Sequence, residues 1–207
     1  MKVTAIKQQV RRKDRYSVYV DDKYSFSLSE IALLKARLAN GQELEPAEVE
    51  GYKQLSAEDK VYGNALRYSA MRLRSRWEME SYLQRKEASP ELAESILNKL
   101  SDYGFINDLV FAKTWVENRH LLRPTSKRKL QQELRAKRVS SEIIEQVLRD
   151  DETEDQTELH ALIVRKQRQS KYQDQTKLMQ YLARQGFGYE DIKSAIANVQ
   201  SNDAQVA

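Results

Sequence analysis

The 207-residue chain has no cysteine, only two histidines, and few glycines or prolines. Without cysteine there are no disulfides, no thiolate nucleophile and no cysteine-ligated metal. The two histidines, His120 and His160, have no second histidine or carboxylate at ligand spacing on one face. Each is expected at a helix surface or helix end, and neither a metal nor another cofactor is expected. No GxxxxGK[ST] or GxGxxG run is present to cradle a nucleotide phosphate. No apolar run approaches the roughly 18 residues of a membrane span, and the opening MKVTAIKQQVRRKD lacks the apolar core of a signal peptide. These absences predict a cytoplasmic protein that is not an enzyme and does not engage a membrane.

What the chain does have is charge, 32% of its residues against 40% hydrophobic ones. That balance predicts a folded rather than a disordered protein. The formal net charge of +4 says little, but its distribution says more. Between Arg119 and Arg138 eight basic residues face one acid, Glu133, whereas from Glu142 to Glu158 eight acids face one base, Arg149. Such segregation suits a surface that meets a polyanion beside regions that stay off it. The plainer reading is a set of solvated helix faces. The carboxylates Glu43, Glu45, Glu48 and Glu50, and those from Asp150 to Asp155, could chelate a cation in principle. They fall in predicted linkers without apolar walls, so solvated charge is the expectation.

Residues 1–28 read as strands. Tyr16, Val18 and Val20 alternate with polar neighbours, Tyr24, Phe26 and Leu28 alternate with serines, and Asp21-Asp22-Lys23 separates the two runs as a turn. Val3 to Val10 offers a third strand. Ser29 caps a helix expected to end at Gly41. Residues 42–59 are acidic and contain Pro46, which predicts a short helix or linker, so that a chain beginning near residue 60 is expected to fold without the hairpin. From residue 60 on, everything reads as helix. Ser75 with Glu78 forms a capping-box pattern, Ser89 precedes Pro90, Thr153 with Gln156 repeats the capping logic, and Gly104 and Gly186 are stops.

The helical part repeats. Leu83, Leu134 and Leu182 are anchors; four residues upstream lie Met79, Leu130 and Leu178, and ten downstream Ala93, Ile144 and Ile192. The upstream residue and the anchor share one helix face. Apolar agreement at five offsets in three copies predicts a mainly α fold. It consists of tandem three-helix repeats in an elongated array, preceded by a small β-hairpin and helix module. The expected division is 1–59 for the N-terminal module with its acidic linker, then repeats at 60–104, 105–150 and 151–207, the last with a short C-terminal tail.

The basic residues follow this register. Arg72, Arg119 and Arg168 stand seven residues after Ala65, Ala112 and Ala161, near the ends of the first helices, and Arg74 and Arg76 extend the first cluster. Lys127, Arg128, Lys129, Arg135, Lys137 and Arg138 dominate the second repeat's middle helix. At about 100° per residue, Lys127, Arg138, Gln131, Arg135 and Arg128 fall in one arc, with Leu130 and Leu134 beside it as core anchors. Trp77 and Trp115 are expected in the core rather than as base-stacking platforms. The last helices carry Glu91 and Glu94, Glu142 and Glu145, and Glu190 and Asp191 near their starts. Acids there would face a DNA groove badly, so the repeats are not expected to read sequence as helix-turn-helix units do. Phosphate contact through the first and second helices fits better.

Three runs at these positions resemble the RecX family: ALRYSAMRLRSRWEMESYLQRK (65–86), ILNKLSDYGFINDLVFAKTWVENR (96–119) and KRKLQQELRAKRV (127–139). The likeness is strongest from about 60 to 150 and weaker over 151–200. Where family members often carry glycine, before and after the middle helix, this chain has Pro124-Thr125-Ser126 and Lys137-Arg138. That predicts a stiffer loop and a longer helix. The resemblance implies a monomeric regulator of recombination and DNA repair. Such a protein lies in the groove of the RecA–DNA filament, contacts single- and double-stranded DNA without sequence preference, and restrains ATP hydrolysis and strand exchange. Two other readings stay open: a free-standing nucleic-acid-binding protein without a RecA partner, and a scaffold that works through its acidic segments.

Overall fold

Strand alternation and a two-aspartate turn build the N-terminal sheet. In the computed structural model, which describes the backbone of residues 1–206 and the side chains of 1–199, β1 (Val3–Gln8), β2 (Arg15–Val20) and β3 (Lys23–Ser29) form an antiparallel sheet in that order. Asp21 and Asp22 take φ of 49° and 63°. Aspartate tolerates this left-handed conformation better than most side chains, and it suits a two-residue hairpin loop. Val3, Val18, Phe26 and Leu28 face one core. Ser29 caps α1 (Glu30–Ala36), its Oγ accepting from the Ala32 N–H at 3.2 Å. The helix ends sooner than Gly41, because Arg37 turns left-handed and so directs Leu38 and Leu44 back to the sheet core.

The segment expected as a short helix or linker forms the first half of a long helix, α2 (Pro46–Ala70), which runs for 25 residues. Pro46 sits in its first turn, and Glu45 and Glu48 cap it reciprocally. The early turns put Val49 and Tyr52 on the sheet core, and the later turns put Val61, Tyr62 and Ala65 into the next core. Asp59 joins helix and sheet. Its Oδ2 accepts from the Arg15 guanidinium at 2.7 Å and the Ser29 N–H at 2.8 Å, and its Oδ1 accepts from the Ser29 hydroxyl at 2.6 Å. Both ion-pair side chains are buried. A cut at residue 60 would therefore divide one helix and discard its anchor, which removes the structural basis for expecting the remainder to fold alone.

Three three-helix groups follow. The first is the later part of α2 with α3 (Arg76–Arg85) and α4 (Pro90–Asp102). The second is α5 (Asp108–Leu122), α6 (Lys127–Ala136) and α7 (Ser141–Asp150). The third is α8 (Asp155–Gln167), α9 (Gln175–Arg184) and α10 (Tyr189–Val206), with a 3-10 turn at Ser170–Tyr172. Side chains of the expected tail, 201–207, lie outside the described residues. Leu83, Leu134 and Leu182 are fully buried, as are Met79 and Leu130, and each anchor belongs to a separate core. Ser89 caps α4 ahead of Pro90, and Gly104 and Gly186 stop their helices with φ of 75° and 95°. Thr153 does not cap α8: that helix starts at Asp155 behind Glu154, without a side-chain cap bond.

The chain forms two compact units: Met1–Leu73 with Glu78–Ile106, and Arg74–Trp77 with the chain from Asn107 on. Inside the second unit the starts of α3 and α6 are docked alike. The Arg76 N–H donates to Asp108 Oδ1 at 2.7 Å and the Ser75 hydroxyl to the Lys137 carbonyl at 3.0 Å. The Lys127 N–H donates to Asp155 Oδ1 at 2.8 Å and the Thr125 hydroxyl to the Gln185 carbonyl at 2.6 Å. In both cases an aspartate at the next first helix takes an orphan helix-start N–H, and a buried hydroxyl takes a carbonyl at the end of the next middle helix. At the start of α9, Asp174 is exposed and caps its own helix, accepting from the N–H groups of Thr176 and Lys177.

Candidate nucleic-acid interface

Where each cation stands depends on which negative group lies beside it. Arg72 spans the Glu78 carboxylate with two guanidinium nitrogens, at 3.0 and 3.1 Å. Arg74 is buried. Arg76 opens α3 with its backbone on Asp108. Arg119 donates from Nε to Glu133 Oε2 at 2.7 Å and lies over the Trp115 ring, while the Trp115 indole N–H donates to the same oxygen at 2.9 Å. Lys127 turns inward, its ammonium on the carbonyls of Asp151 at 2.6 Å and Leu148 at 3.4 Å, at the end of α7. It complements the negative end of that helix.

The predicted cationic arc is therefore shorter than the sequence suggested. α6 ends at Ala136 with Lys137 as its C-cap, so it is not lengthened. Arg138 lies beyond the helix at φ 54°, its guanidinium over Trp77. The helical angle no longer applies there, and the backbone takes a conformation that glycine adopts at less cost than arginine. Lys137 lies over Trp115. Both tryptophans are half-buried and covered by cations, neither fully in a core nor open as platforms. Arg128 and Arg135 remain on the outer face, seven residues apart and so nearly in line. Their side chains make no hydrogen bond or ion pair among the described residues, and the same holds for exposed Arg168.

The register behind Arg168 was two residues off. Ala161 is exposed, while Leu159 is buried as Ala65 and Ala112 are. The third-repeat counterpart of Arg119 is therefore Lys166, which lies over Tyr172 and Tyr181 much as Arg119 lies over Trp115. Counting from Leu159 would have found it.

The acids also depart from expectation. The Asp151 side chain is largely enclosed, with Oδ2 3.1 Å from His120 Nε2, and Asp155 holds the start of α6, so neither is solvated linker charge. His120 is mostly enclosed between Asp151 and Glu158, whereas His160 is exposed. In the first turns of α4 and α7, the carboxyls of Glu91 and Glu142 are held below the usual carboxylate range by backbone N–H groups, helped by Ser89 and Ser140. These helix starts keep their negative charge and do not suit a nucleic-acid groove.

Among the described residues no helix is long and apolar enough to cross a membrane. Four family models match in chain order: the regulatory protein RecX N-terminal domain over residues 1–45, and the first, second and third RecX three-helix domains over 62–100, 107–148 and 153–196. The chain is 32% identical over 200 residues to a Regulatory protein RecX of Listeria welshimeri, covering 94% of this chain and 74% of that one. A Regulatory protein RecX of Bacillus subtilis is 28% identical over 203 residues, covering 96% and 77%. A crystal structure of regulatory protein RecX superposes with a TM-score of 0.71 at 26% identity, over 93% of this chain and 98% of that one. One from Lactobacillus salivarius gives 0.56 at 26% identity, over 70% and 97%.

Proposed function

Since the chain belongs to the RecX family, we propose that it regulates the RecA recombinase by binding the RecA–DNA filament and restraining ATP hydrolysis and strand exchange. It acts as a cytoplasmic monomer in recombination and DNA repair, and catalyses no reaction itself. The observation that carries this reading is the charge on α6: Arg128 and Arg135 share an exposed face without a partner among the described residues, above a helix anchored by buried Leu130 and Leu134. Charges so placed suit phosphates or an acidic protein surface, with salt-sensitive and sequence-independent contact.

The test is RecA ATPase on single-stranded DNA, titrated with this protein. A saturating fall in turnover is expected, and Arg128→Ala with Arg135→Ala should shift the titration to higher protein concentration. Unchanged turnover at saturation, with DNA binding intact, would leave the free-standing nucleic-acid binder as the better reading.

A further inference from the structure

We infer that a cleft between the second and third three-helix groups, inside the second compact unit, seats the phosphodiester backbone of single-stranded nucleic acid. This deepens the proposed filament reading and rests on it for the expectation of a nucleic-acid partner. The cleft has a volume of about 410 Å³ and is lined by Arg119, Arg123, Lys129, Arg165 and Lys166, with Glu133 as the one lining carboxylate. Of these cations Arg119 and Lys129 were singled out from sequence.

Local structure explains the convergence. Arg119 and Arg123 end α5, Arg165 and Lys166 end α8, and docking of the α6 start on α8 and the end of α9 brings these ends to one opening. The negative groups in the wall are already engaged. Glu133 is held by Arg119 and the Trp115 indole. The carbonyl of Arg184 is taken by the Lys129 ammonium, and that of Gln185 by the Thr125 hydroxyl and the Ser126 N–H. Arg123 and Arg165 are exposed, and their side chains make no hydrogen bond or ion pair among the described residues. Lys166 faces only the rings of Tyr172 and Tyr181, at 5.2 and 4.7 Å.

The result is positive charge concentrated in a partly enclosed cleft, where low-dielectric walls focus the field toward an anion. The volume lies within the roughly 300–1,000 Å³ of small-ligand sites, enough for a phosphate with part of its nucleotide. A duplex carries its phosphates on a convex surface and would touch only the rim, so a single strand is favoured. Backbone contact of this kind reads no sequence.

The experiment measures binding of the full chain to a labelled oligodeoxythymidylate and to a duplex, without RecA, at several salt concentrations. Arg123→Gln with Arg165→Gln should weaken single-strand binding about tenfold and lower the salt slope by about 1.4, roughly 0.7 for each lost contact. Duplex binding should change much less. The Lys pair at these positions should restore most of the affinity, and Lys53→Gln with Lys193→Gln, at exposed positions outside the cleft, should leave the single strand near wild type. Matching melting curves would separate these effects from unfolding. The inference is overturned if the Arg123/Arg165 variant binds like wild type, if duplex loses as much as single strand, or if inorganic tripolyphosphate alone binds as tightly as the oligonucleotide. RecA ATPase run in parallel separates the two ideas. Inhibition with an unaffected cleft variant keeps the filament reading and removes the cleft. Strand binding through Arg123 and Arg165 without any effect on RecA supports the cleft and removes the filament reading.

Discussion

The docked starts of α3 and α6 use the same polar bonds on different backbones. Beside the start of α3, the left-handed residue after α6 is Arg138, an exposed side chain whose guanidinium covers Trp77 at 5.8 Å. Beside the start of α6, the left-handed residue after α9 is Gly186, and a Cβ there would overlap Ser126 Oγ and come within 2.7 Å of Lys129 Cβ. One docking leaves room for a long side chain; the other closes to backbone contact. An aspartate on a helix-start N–H and a hydroxyl on a carbonyl thus recur at both starts, while the residue at the left-handed position differs in the room its side chain has.

The largest effect is expected from Gly186→Ala, which meets both an unfavourable φ and a collision. A loss of about 1–3 kcal/mol or more is expected in denaturant unfolding. Arg138→Gly at the matching position should change stability far less, and equal losses at the two sites would show that the two positions do not differ in the room they leave.

Next come the shared aspartates. Asp108→Ala and Asp155→Ala each leave a helix-start N–H without its acceptor, for an expected loss of roughly 0.5–2 kcal/mol apiece. If only one of the two matters, the dockings are not equivalent in energy.

A pH comparison sharpens this further. Burial pushes the Asp108 carboxyl up, partly offset by the Arg76 N–H and charge. The folded state then binds this proton more tightly than the unfolded state does. Its contribution to stability is greatest below the unfolded value of about 3.9 and declines as pH rises through the higher folded value. Asp108→Asn keeps an acceptor for the Arg76 N–H and should remove that decline. Unfolding curves at pH 4 and pH 7 should show the variant gaining on wild type at the higher pH, and a constant difference would contradict the assignment. The smallest change is Arg138→Gly itself, which relieves the left-handed strain but loses a cation–π contact of about 0.5–1 kcal/mol. A shift of under 1 kcal/mol in either direction is expected.

The fold was legible where burial repeats. Leu83, Leu134 and Leu182 carry a side-chain period that reports which face is enclosed, and their burial follows directly. Polar partnership leaves no such period. Nothing in the spacing of Lys127 reveals that the end of α7 draws its ammonium inward, or that Asp155 serves a helix start 28 residues earlier. Charge counting marked the stretch from Arg119 to Arg138 as basic but could not say which cations are already neutralised. Arg138 was placed by helical angle, and one left-handed residue ended that geometry. Lys166 was missed through a register error; Arg123 was counted in the basic stretch without being singled out, and Arg165 gave no signal, because only the docking of α6 on α8 and α9 brings them together.

The unbroken α2 has a consequence for how the chain opens. Its residues serve the sheet core at one end and the first helical core at the other, with Asp59 between them. A helix held at both ends gives its amides no separate route to solvent. In hydrogen exchange, the middle turns of α2 should share one opening free energy with the sheet and with α4, so that these elements exchange as one cooperative foldon. The hairpin module would then belong to the first repeat's folding unit rather than being an appended decoration.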